Sequence, residues 1–181
     1  MKRLLLEALI VGVNISFHIL HTRSKTVFNQ CVAIWFKEVS LEDFSKRSEK
    51  TAFEWLGMKF IEIGDDFLKG ALVVDHRTVQ PMRILNGGLS VMLAESLCSA
   101  AANFCVDQSR YVALGLEINA NHLRVAPEGK TVIGTARPLH LGRSTQVWET
   151  RIEADGNLIC ISRMTLAVVT LEKLQKSKSH K

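Results

Sequence analysis

The chain has 181 residues, of which 47% are hydrophobic, enough for one globular domain with a sizeable core. The formal net charge is +5, but residues 1–32 and 171–181 each carry a net +3, whereas residues 33–170 hold 15 basic and 16 acidic side chains. Since the body is near neutral and the basic C-terminal end has no interleaved aromatic residues, the charge pattern argues against nucleic-acid binding. We interpret residues 171–181 as a solvated basic tail.

The status of residues 1–32 is open. MKR followed by LLLEALIVGVNISFHIL resembles the charged and apolar regions of a signal peptide. However, Glu7 and His18 interrupt the apolar run, about 17 residues is short for a membrane span, and no small-residue cleavage site follows. A start-site misassignment, an attached helix and a membrane anchor are the alternatives, and membrane contact through this extension is not favoured.

Short elements open the domain at residues 33–170. The motif SLED beginning at Ser40 resembles a capping box, which predicts a short helix toward Arg47. A further helical turn is expected at residues 53–56, and Gly57 ends it.

A hairpin and a loop come next. Residues 58–63 and 67–74 are strand-like and flank a Gly-Asp-Asp turn, so they are predicted to pair. Residues 75–88 form a loop, in which Pro81 excludes regular structure.

An isolated carboxylate lies in the following element. Glu95 is the only charged residue between Arg83 and Asp107, and the small and apolar residues around it predict a buried helix. Burying a carboxylate without a cationic neighbour is costly, so it is expected either to be protonated or to lie at a cleft where it takes part in chemistry. The alternative is a core helix whose glutamate reaches solvent or pairs with an arginine from elsewhere.

The start of this helix is a candidate oxyanion site. Gly87 and Gly88 end the preceding segment, so Asn86 or Gly87 is expected near the N-cap. Unpaired N–H groups and the positive end of the helix dipole can hold a developing oxyanion there. Glu95 lies roughly 10 Å along the axis, which makes reach within a single helix borderline. Ser99, one turn beyond Glu95, is expected to be able to hydrogen-bond it.

Four strand-like runs complete the domain, at residues 111–125, 131–140, 145–154 and 158–169. Turn residues separate these runs, and we expect an antiparallel meander. In the third run Trp148, Thr150 and Ile152 alternate with charged residues, which indicates a sheet with one solvated face. One long helix wrapped by a curved antiparallel sheet buries both elements, so the predicted class is α+β.

Cysteines and histidines predict neither disulfides nor a metal site. The four cysteines lack CxxC spacing, and Cys98 and Cys105 are about 10 Å apart along the predicted helix, too far for a disulfide. The six histidines lack HExxH spacing. These patterns are typical of a reduced, cytoplasmic protein without a metal cofactor.

Three segments in order, QPMRILNGGLSVMLAESLCS, LGLEINANHLR and RPLHLGRSTQVWE, resemble the hotdog-fold acyl-CoA thioesterases of the phenylacetate type. The resemblance is strongest to the branch of 1,4-dihydroxy-2-naphthoyl-CoA and aryl-CoA thioesterases, and it covers residues 34–169. It implies a hotdog fold that hydrolyses an acyl-CoA with an aromatic or bulky acyl group, without a cofactor. It also implies a homodimer or homotetramer in which the helix N-terminus of one subunit faces the glutamate of its partner.

The resemblance also implies roles for particular residues. Glu95 matches the catalytic carboxylate, as nucleophile or general base, and the Gly87 N–H matches the group that polarises the thioester carbonyl. Gln80 matches a loop glutamine near the reacting group. The remaining matches concern substrate binding: Ser99 beside the carboxylate, His122 near the acyl pocket, and His140, Gly142 and Arg143 near the CoA arm. A satisfied strand-end histidine and a solvated turn arginine are the alternatives for His122 and Arg143.

One position departs from the family pattern. The family commonly has histidine before the two glycines, where this chain has Asn86. Asparagine caps a helix and donates a hydrogen bond, but it cannot carry a proton. An acyl-CoA-binding protein with little hydrolytic activity is therefore the alternative function, and a dehydratase is a weaker third because it needs a histidine beside the carboxylate.

Overall fold

The computed structural model describes residues 33–179, and the predictions for residues 1–32 lie outside this part of the chain. Helix α1 (Leu41–Ser48) begins at the predicted capping box, because the Ser40 hydroxyl accepts from the Asp43 N–H while the Asp43 carboxylate accepts from the Ser40 N–H. Helix α2 (Ala52–Trp55) follows. Gly57 then ends the helical segment with a φ of 73°, in the left-handed region that glycine favours.

Six antiparallel strands form one sheet in this part of the chain. They are β1 (Lys59–Ile63), β2 (Leu68–Val73), β3 (Tyr111–His122), β4 (Thr131–Leu141), β5 (Thr145–Ala154) and β6 (Asn157–Thr170). Their spatial order is β1-β2-β4-β5-β6-β3. The hairpins β1–β2, β4–β5 and β5–β6 are confirmed at their predicted turns.

The prediction of a continuous meander is wrong for β3. This strand pairs with β6 at one edge of the sheet, and β4 crosses to pair with β2 instead. The connection at residues 123–130 is too long for a tight hairpin, and Pro127 forms an isolated bridge to Ile84 in the loop before the long helix. Because of this crossover, β3 has a neighbouring strand on only one side.

Helix α3 (Gly87–Phe104) packs against one face of the sheet. Leu97 inserts between two glycines, Gly70 on β2 and Gly134 on β4, which are paired opposite each other. A Cβ at Gly70 would lie 2.7 Å from Leu97 Cδ2, and one at Gly134 would lie 2.8 Å from Leu97 Cδ1. Truncating a leucine buried in this way costs about 2–5 kcal/mol. Because neither glycine has a Cβ to clash with Leu97, the helix can lie this close to the sheet.

The segment interpreted as a solvated tail begins as helix α4 (Leu171–Ser179). Most of its described side chains are exposed, and Leu171 and Leu174 are half-buried. The Leu171 N–H donates to the Arg110 carbonyl oxygen at 3.0 Å, so the first turn is attached to the domain. Among the described residues, no helix is long and apolar enough to cross a membrane.

Candidate active site

The N-terminus of α3 leaves one backbone donor unused. Asn86 is the N-cap, and its Oδ1 accepts from the Gly88 N–H at 2.8 Å. The N–H groups of Leu89 and Ser90 both point at the Asn86 carbonyl oxygen, at 3.0 and 3.4 Å. The Gly87 N–H has no acceptor among residues 33–179, and the first turn contains no acidic residue. Gly87 therefore presents an open donor at the positive end of the helix dipole.

The loop before α3 orients Gln80. The Gln80 N–H donates to the Ile84 carbonyl oxygen at 2.9 Å, and Gln80 Oε1 accepts from the Met82 N–H at 3.1 Å. This internal bond occupies the amide oxygen and leaves the amide NH₂ as the donor that a ligand can use. Arg83 follows with a φ of 58°, and its guanidinium forms an ion pair with Glu128 in the β3–β4 connection. The loop is thereby attached to that connection.

A cavity of about 300 Å³ lies at the start of α3. Three of the residues predicted for the site, Gly87, Gln80 and His122, line it together. His122 Nε2 lies 3.0 Å from where a Cβ at Gly87 would be, so the missing side chain makes room for the imidazole. The other lining residues are Ile84, Leu85, Ser90, Arg124, Val125, Ala126 and Ile159.

Glu95 lies apart from this cavity. It is not among the lining residues, and its side chain is exposed, so the expectation of a buried carboxylate is not met within one chain. Its Oε1 lies 3.6 Å from where a Cβ at Gly115 would be, and it forms no ion pair or hydrogen bond within the described part of the chain. The physical reason is that Glu95 lies over Gly115 of the edge strand β3, at the margin of the sheet, where no further strand of the described chain covers its carboxylate.

Ser99 does not hydrogen-bond Glu95, contrary to expectation. The Ser99 hydroxyl contacts Met164 Sδ at 4.0 Å. The methyl end of Met164 in turn fills the space above Gly115, with Cε 2.7 Å from where a Cβ would be. Glu95 Oε1 and Met164 Cε thus both lie over Gly115, and the Ser99 hydroxyl does not bind the carboxylate.

His140, Gly142 and Arg143 lie at the end of the β4–β5 hairpin. The Gly142 N–H donates to the Thr145 carbonyl oxygen at 2.9 Å, and a Cβ at Gly142 would lie 2.4 Å from His140 Nε2. Both His140 and Arg143 are exposed, and neither lines the cavity at Gly87. This hairpin end lies toward the Glu95 side of the sheet, because β6 residue Leu166 pairs with both Gln146 and Gly115.

The thiols of the buried Cys98 and the half-buried Cys105 are not candidate nucleophiles. Burial raises the pKa of the Cys98 and Cys105 thiols to about 12, so both are protonated at neutral pH. Cys98 Sγ contacts Thr150 Oγ1 at 3.1 Å inside the core. Within the described residues, no group of three or more histidine, cysteine or acidic side chains is placed to hold a metal ion.

Ser90 belongs to the cavity but was missed by sequence reasoning. It is 3% exposed and lines the space shared by Gly87 and His122. Its spacing of three residues from Gly87, on the same helix face, is the signal that could have identified it. Without that spacing, a serine in a run of small residues is interpreted as a residue that packs the helix against its neighbours.

Comparison with known proteins identifies the family of this chain. Residues 82–161 match the family model "Thioesterase superfamily". The 1,4-dihydroxy-2-naphthoyl-CoA hydrolase of Escherichia coli is 44% identical over 137 residues, which cover 75% of this chain and 99% of that protein. The proofreading thioesterase EntH of Cronobacter turicensis is 40% identical over 137 residues, 75% of this chain and 98% of that protein.

Solved structures agree with the sequence relatives. A mutant thioesterase from Pseudomonas aeruginosa is 44% identical and superimposes with a TM-score of 0.74, covering 77% of this chain and 100% of that chain. The chain therefore belongs to the thioesterase superfamily. The predicted hotdog fold, with α3 packed against a six-stranded antiparallel sheet, is confirmed.

Proposed function

We propose that the protein hydrolyses acyl-CoA thioesters to the free acid and CoA. The observation that carries this proposal is the open Gly87 N–H, which faces a cavity shared with Gln80 and His122. A backbone donor at a helix N-terminus stabilises the negative charge that develops on a carbonyl oxygen during acyl transfer. Relatives whose names denote CoA-ester hydrolysis and thioesterase activity support the same chemistry.

The reacting groups are assigned as follows. The Gly87 N–H polarises the thioester carbonyl, and the amide NH₂ groups of Gln80 and Asn86 are further donors near it. Glu95 either attacks the carbonyl carbon, giving an anhydride that water then opens, or takes a proton from the attacking water. In both routes the C–S bond breaks, the thiolate of CoA leaves and is protonated, and the acid is released.

One chain does not bring Glu95 to the Gly87 cavity, so we propose that a second copy supplies it. Strand β3 is an edge strand, and its Leu114 and Leu116 are 38% and 66% exposed. A long edge strand with exposed leucines is a surface that proteins normally cover. Antiparallel pairing of β3 with the same strand of a second copy covers it and forms a homodimer, from which a homotetramer can be built.

This pairing has a geometric consequence. His122 ends β3, whereas Gly115, next to Glu95, lies in its first half. Antiparallel pairing about a two-fold axis places the end of one strand beside the first half of the other. The cavity of Gly87 and His122 on one copy then lies beside Glu95 of the other, which removes the reach problem within a single helix.

The binding roles follow from the same arrangement. Ser99 lies beside Glu95, and His140, Gly142 and Arg143 lie on the hairpin at that end of the sheet. We assign the exposed Arg143 guanidinium to a phosphate of CoA, because guanidinium and phosphate groups form charge-assisted hydrogen bonds. We place the reaction in the cytoplasm, with an aromatic or otherwise bulky acyl group.

A second candidate is an acyl-CoA-binding protein with little hydrolytic activity. Asn86 favours it, since its Oδ1 is committed to capping Gly88 and its amide cannot carry a proton. A thiol-release assay of the purified full chain with aryl-CoA, fatty acyl-CoA and acyl-carrier-protein thioesters separates the two candidates. We expect turnover of at least one CoA thioester. Tight binding without thiol release would favour the binding protein.

A further inference from the structure

Arg83 joins the turn that carries Gln80 to the connection between β3 and β4. Its Nε donates to Glu128 Oε2 at 2.8 Å, and its Nη2 donates to Glu128 Oε1. The Glu128 N–H also donates to the Arg83 carbonyl oxygen at 3.1 Å. Because a bidentate contact fixes the orientation of a guanidinium as well as its distance, this ion pair holds Arg83 in one position.

The backbone of Arg83 determines the shape of the turn. Its φ of 58° lies in the left-handed region, which residues other than glycine seldom adopt and which costs conformational energy. The Arg83 N–H donates to the Gln80 carbonyl oxygen at 2.8 Å, and the chain then returns so that the Ile84 carbonyl oxygen accepts from the Gln80 N–H at 2.9 Å. A left-handed arginine persists where its surroundings fix it, and the pair with Glu128 is such a contact.

The turn holds both the backbone and the side chain of Gln80. Gln80 Oε1 accepts from the N–H of Met82, the residue before Arg83, at 3.1 Å. Gln80 lines the cavity that contains Gly87, whereas neither Arg83 nor Glu128 lines it. A contribution of the ion pair to a ligand in this cavity therefore passes through the turn.

We propose that Arg83 is a positioning residue: paired with Glu128, it fixes the turn that presents the Gln80 amide to the thioester carbonyl. This inference rests on the proposed function and adds to it a residue outside the cavity. A donor aimed at the charge that develops on the carbonyl oxygen stabilises the transition state more than the bound substrate, so loss of its position lowers kcat more than it raises KM. The side chains of Arg83 and Glu128 are 59% and 34% exposed, so the expected effect is modest.

The test measures kcat and KM of Arg83→Asn and Glu128→Ala with a CoA thioester that the wild type hydrolyses. Asparagine tolerates the left-handed backbone but has no cationic group, so Arg83→Asn removes the ion pair without adding backbone strain. We expect each variant to lower kcat by roughly 3- to 10-fold, with KM within about 2-fold of the wild type. Arg83→Lys should have an intermediate kcat, because an ammonium group pairs with the carboxylate without bidentate geometry.

Lys50→Asn is the matched control. Lys50 is an exposed basic residue with the same φ of 58°, and it is not among the residues that line the cavity. This variant should leave kcat unchanged. The Tm of Lys50→Asn and of Arg83→Asn should stay within about 2–4 °C of the wild type, so that a lower kcat does not reflect partial unfolding.

A second comparison shows whether Arg83 acts through Gln80. In a Gln80→Ala background, Arg83→Asn should lower kcat no further, because the group that Arg83 positions is absent. A loss of the same size in both backgrounds overturns the inference.

A spectroscopic measurement is independent of hydrolysis. NMR relaxation of the isotope-labelled protein reports the ps–ns order of the Gln80 side-chain NH₂ group, whose signals are assigned by their loss in Gln80→Ala. We expect lower order in Arg83→Asn and Glu128→Ala, but not in Lys50→Asn. If the wild type hydrolyses no thioester, the proposed function fails, and the order of this NH₂ group still decides the role of Arg83. An unchanged order, or a kcat that is unchanged in both variants, overturns the inference.

Discussion

The two ends of strand β3 carry contrasting halves of the proposed site. At the His122 end, the Gly87 donor lies in a formed cavity, and capping and loop hydrogen bonds hold its surroundings. At the Gly115 end, Glu95 is exposed and has no polar partner in the described chain. If the proposed dimer forms, the half of the site at Gly87 is preorganised by folding alone, whereas the half at Glu95 acquires its surroundings from the second copy.

The largest loss of activity is expected on changing Glu95, in the exposed half of the proposed site. Glu95→Gln keeps the size of the side chain but can neither attack nor accept a proton, so turnover should fall by roughly 10³ or more. Because Glu95 is exposed and forms no contact on which folding depends, the Tm and the affinity for CoA esters should stay close to wild type. Steady-state thiol release and differential scanning fluorimetry measure both. Near wild-type turnover would remove Glu95 from the mechanism.

The second-largest loss of activity is expected on changing Gly87, in the half of the proposed site that lies in the cavity. Gly87→Pro deletes the N–H at the first helical position, where proline is tolerated, and should lower kcat by about 10²–10³. Gly87→Ala is the matched control, since its Cβ crowds His122 equally, at 3.0 Å, but the N–H remains. We expect Gly87→Ala to lose clearly less activity than Gly87→Pro.

The same variants decide whether the two halves belong to different copies. Subunit exchange between Glu95→Gln and Gly87→Pro creates mixed dimers in which one of the two sites has both groups intact. Activity should therefore reappear on mixing two nearly inactive samples. If mixed samples stay inactive although exchange is demonstrated, the site lies within one chain and the proposed pairing of β3 is wrong.

A smaller effect is expected on changing Asn86, the N-cap residue next to Gly87. Asn86→Ala removes the acceptor for the Gly88 N–H and should cost about 1–3 kcal/mol, seen as lower stability and lower kcat/KM. Asn86→His should change turnover only a few-fold, because its ring can also donate a hydrogen bond. A rise of about 10² or more in Asn86→His, with unchanged affinity, would mean that the natural chain lacks an acid–base group and would favour the binding protein.

The smallest effect is expected on removing residues 1–32, which lie outside the proposed site. Deleting residues 1–32 should leave a folded protein of unchanged activity, because all groups assigned to the site lie between Gln80 and Arg143. Gel filtration and thiol release of the truncated chain measure this. Insolubility or loss of activity would show that the extension packs on the domain, and membrane association lost on truncation would identify an anchor.

Local chemistry made much of the fold predictable. The capping box at Ser40, the left-handed Gly57 and the cap at Asn86 each depend on neighbours within a few residues, and each is confirmed. The position of β3 was not predictable in this way, because its pairing with β6 joins residues such as His122 and Cys160 that are far apart in sequence. Turn residues specify that a strand ends but not which strand it joins.

The candidate site was likewise predictable only in part. The loop and the cap at the start of α3 place Gln80 and Gly87 in one cavity, and His122 reaches the same cavity from the end of β3. The surroundings of Glu95 were misjudged, because an apolar sequence does not say which face of a helix the sheet covers. Ser90 was missed because its place in the cavity depends on which face of α3 lines that space, and a sequence of small residues does not record this.

The glycine pair beneath α3 has a consequence for how the substrate range of this enzyme can evolve. Leu97 rests in the space left by Gly70 and Gly134, so the depth of the helix is set by two absent methyl groups. Alanine at either position would force Leu97 to change rotamer or α3 to move away from β2 and β4, and any movement of α3 would shift Gly87 and Ser90, although neither glycine lines the cavity. Laboratory evolution toward acyl groups of a different size should therefore recover substitutions in the sheet, remote from every atom of the substrate.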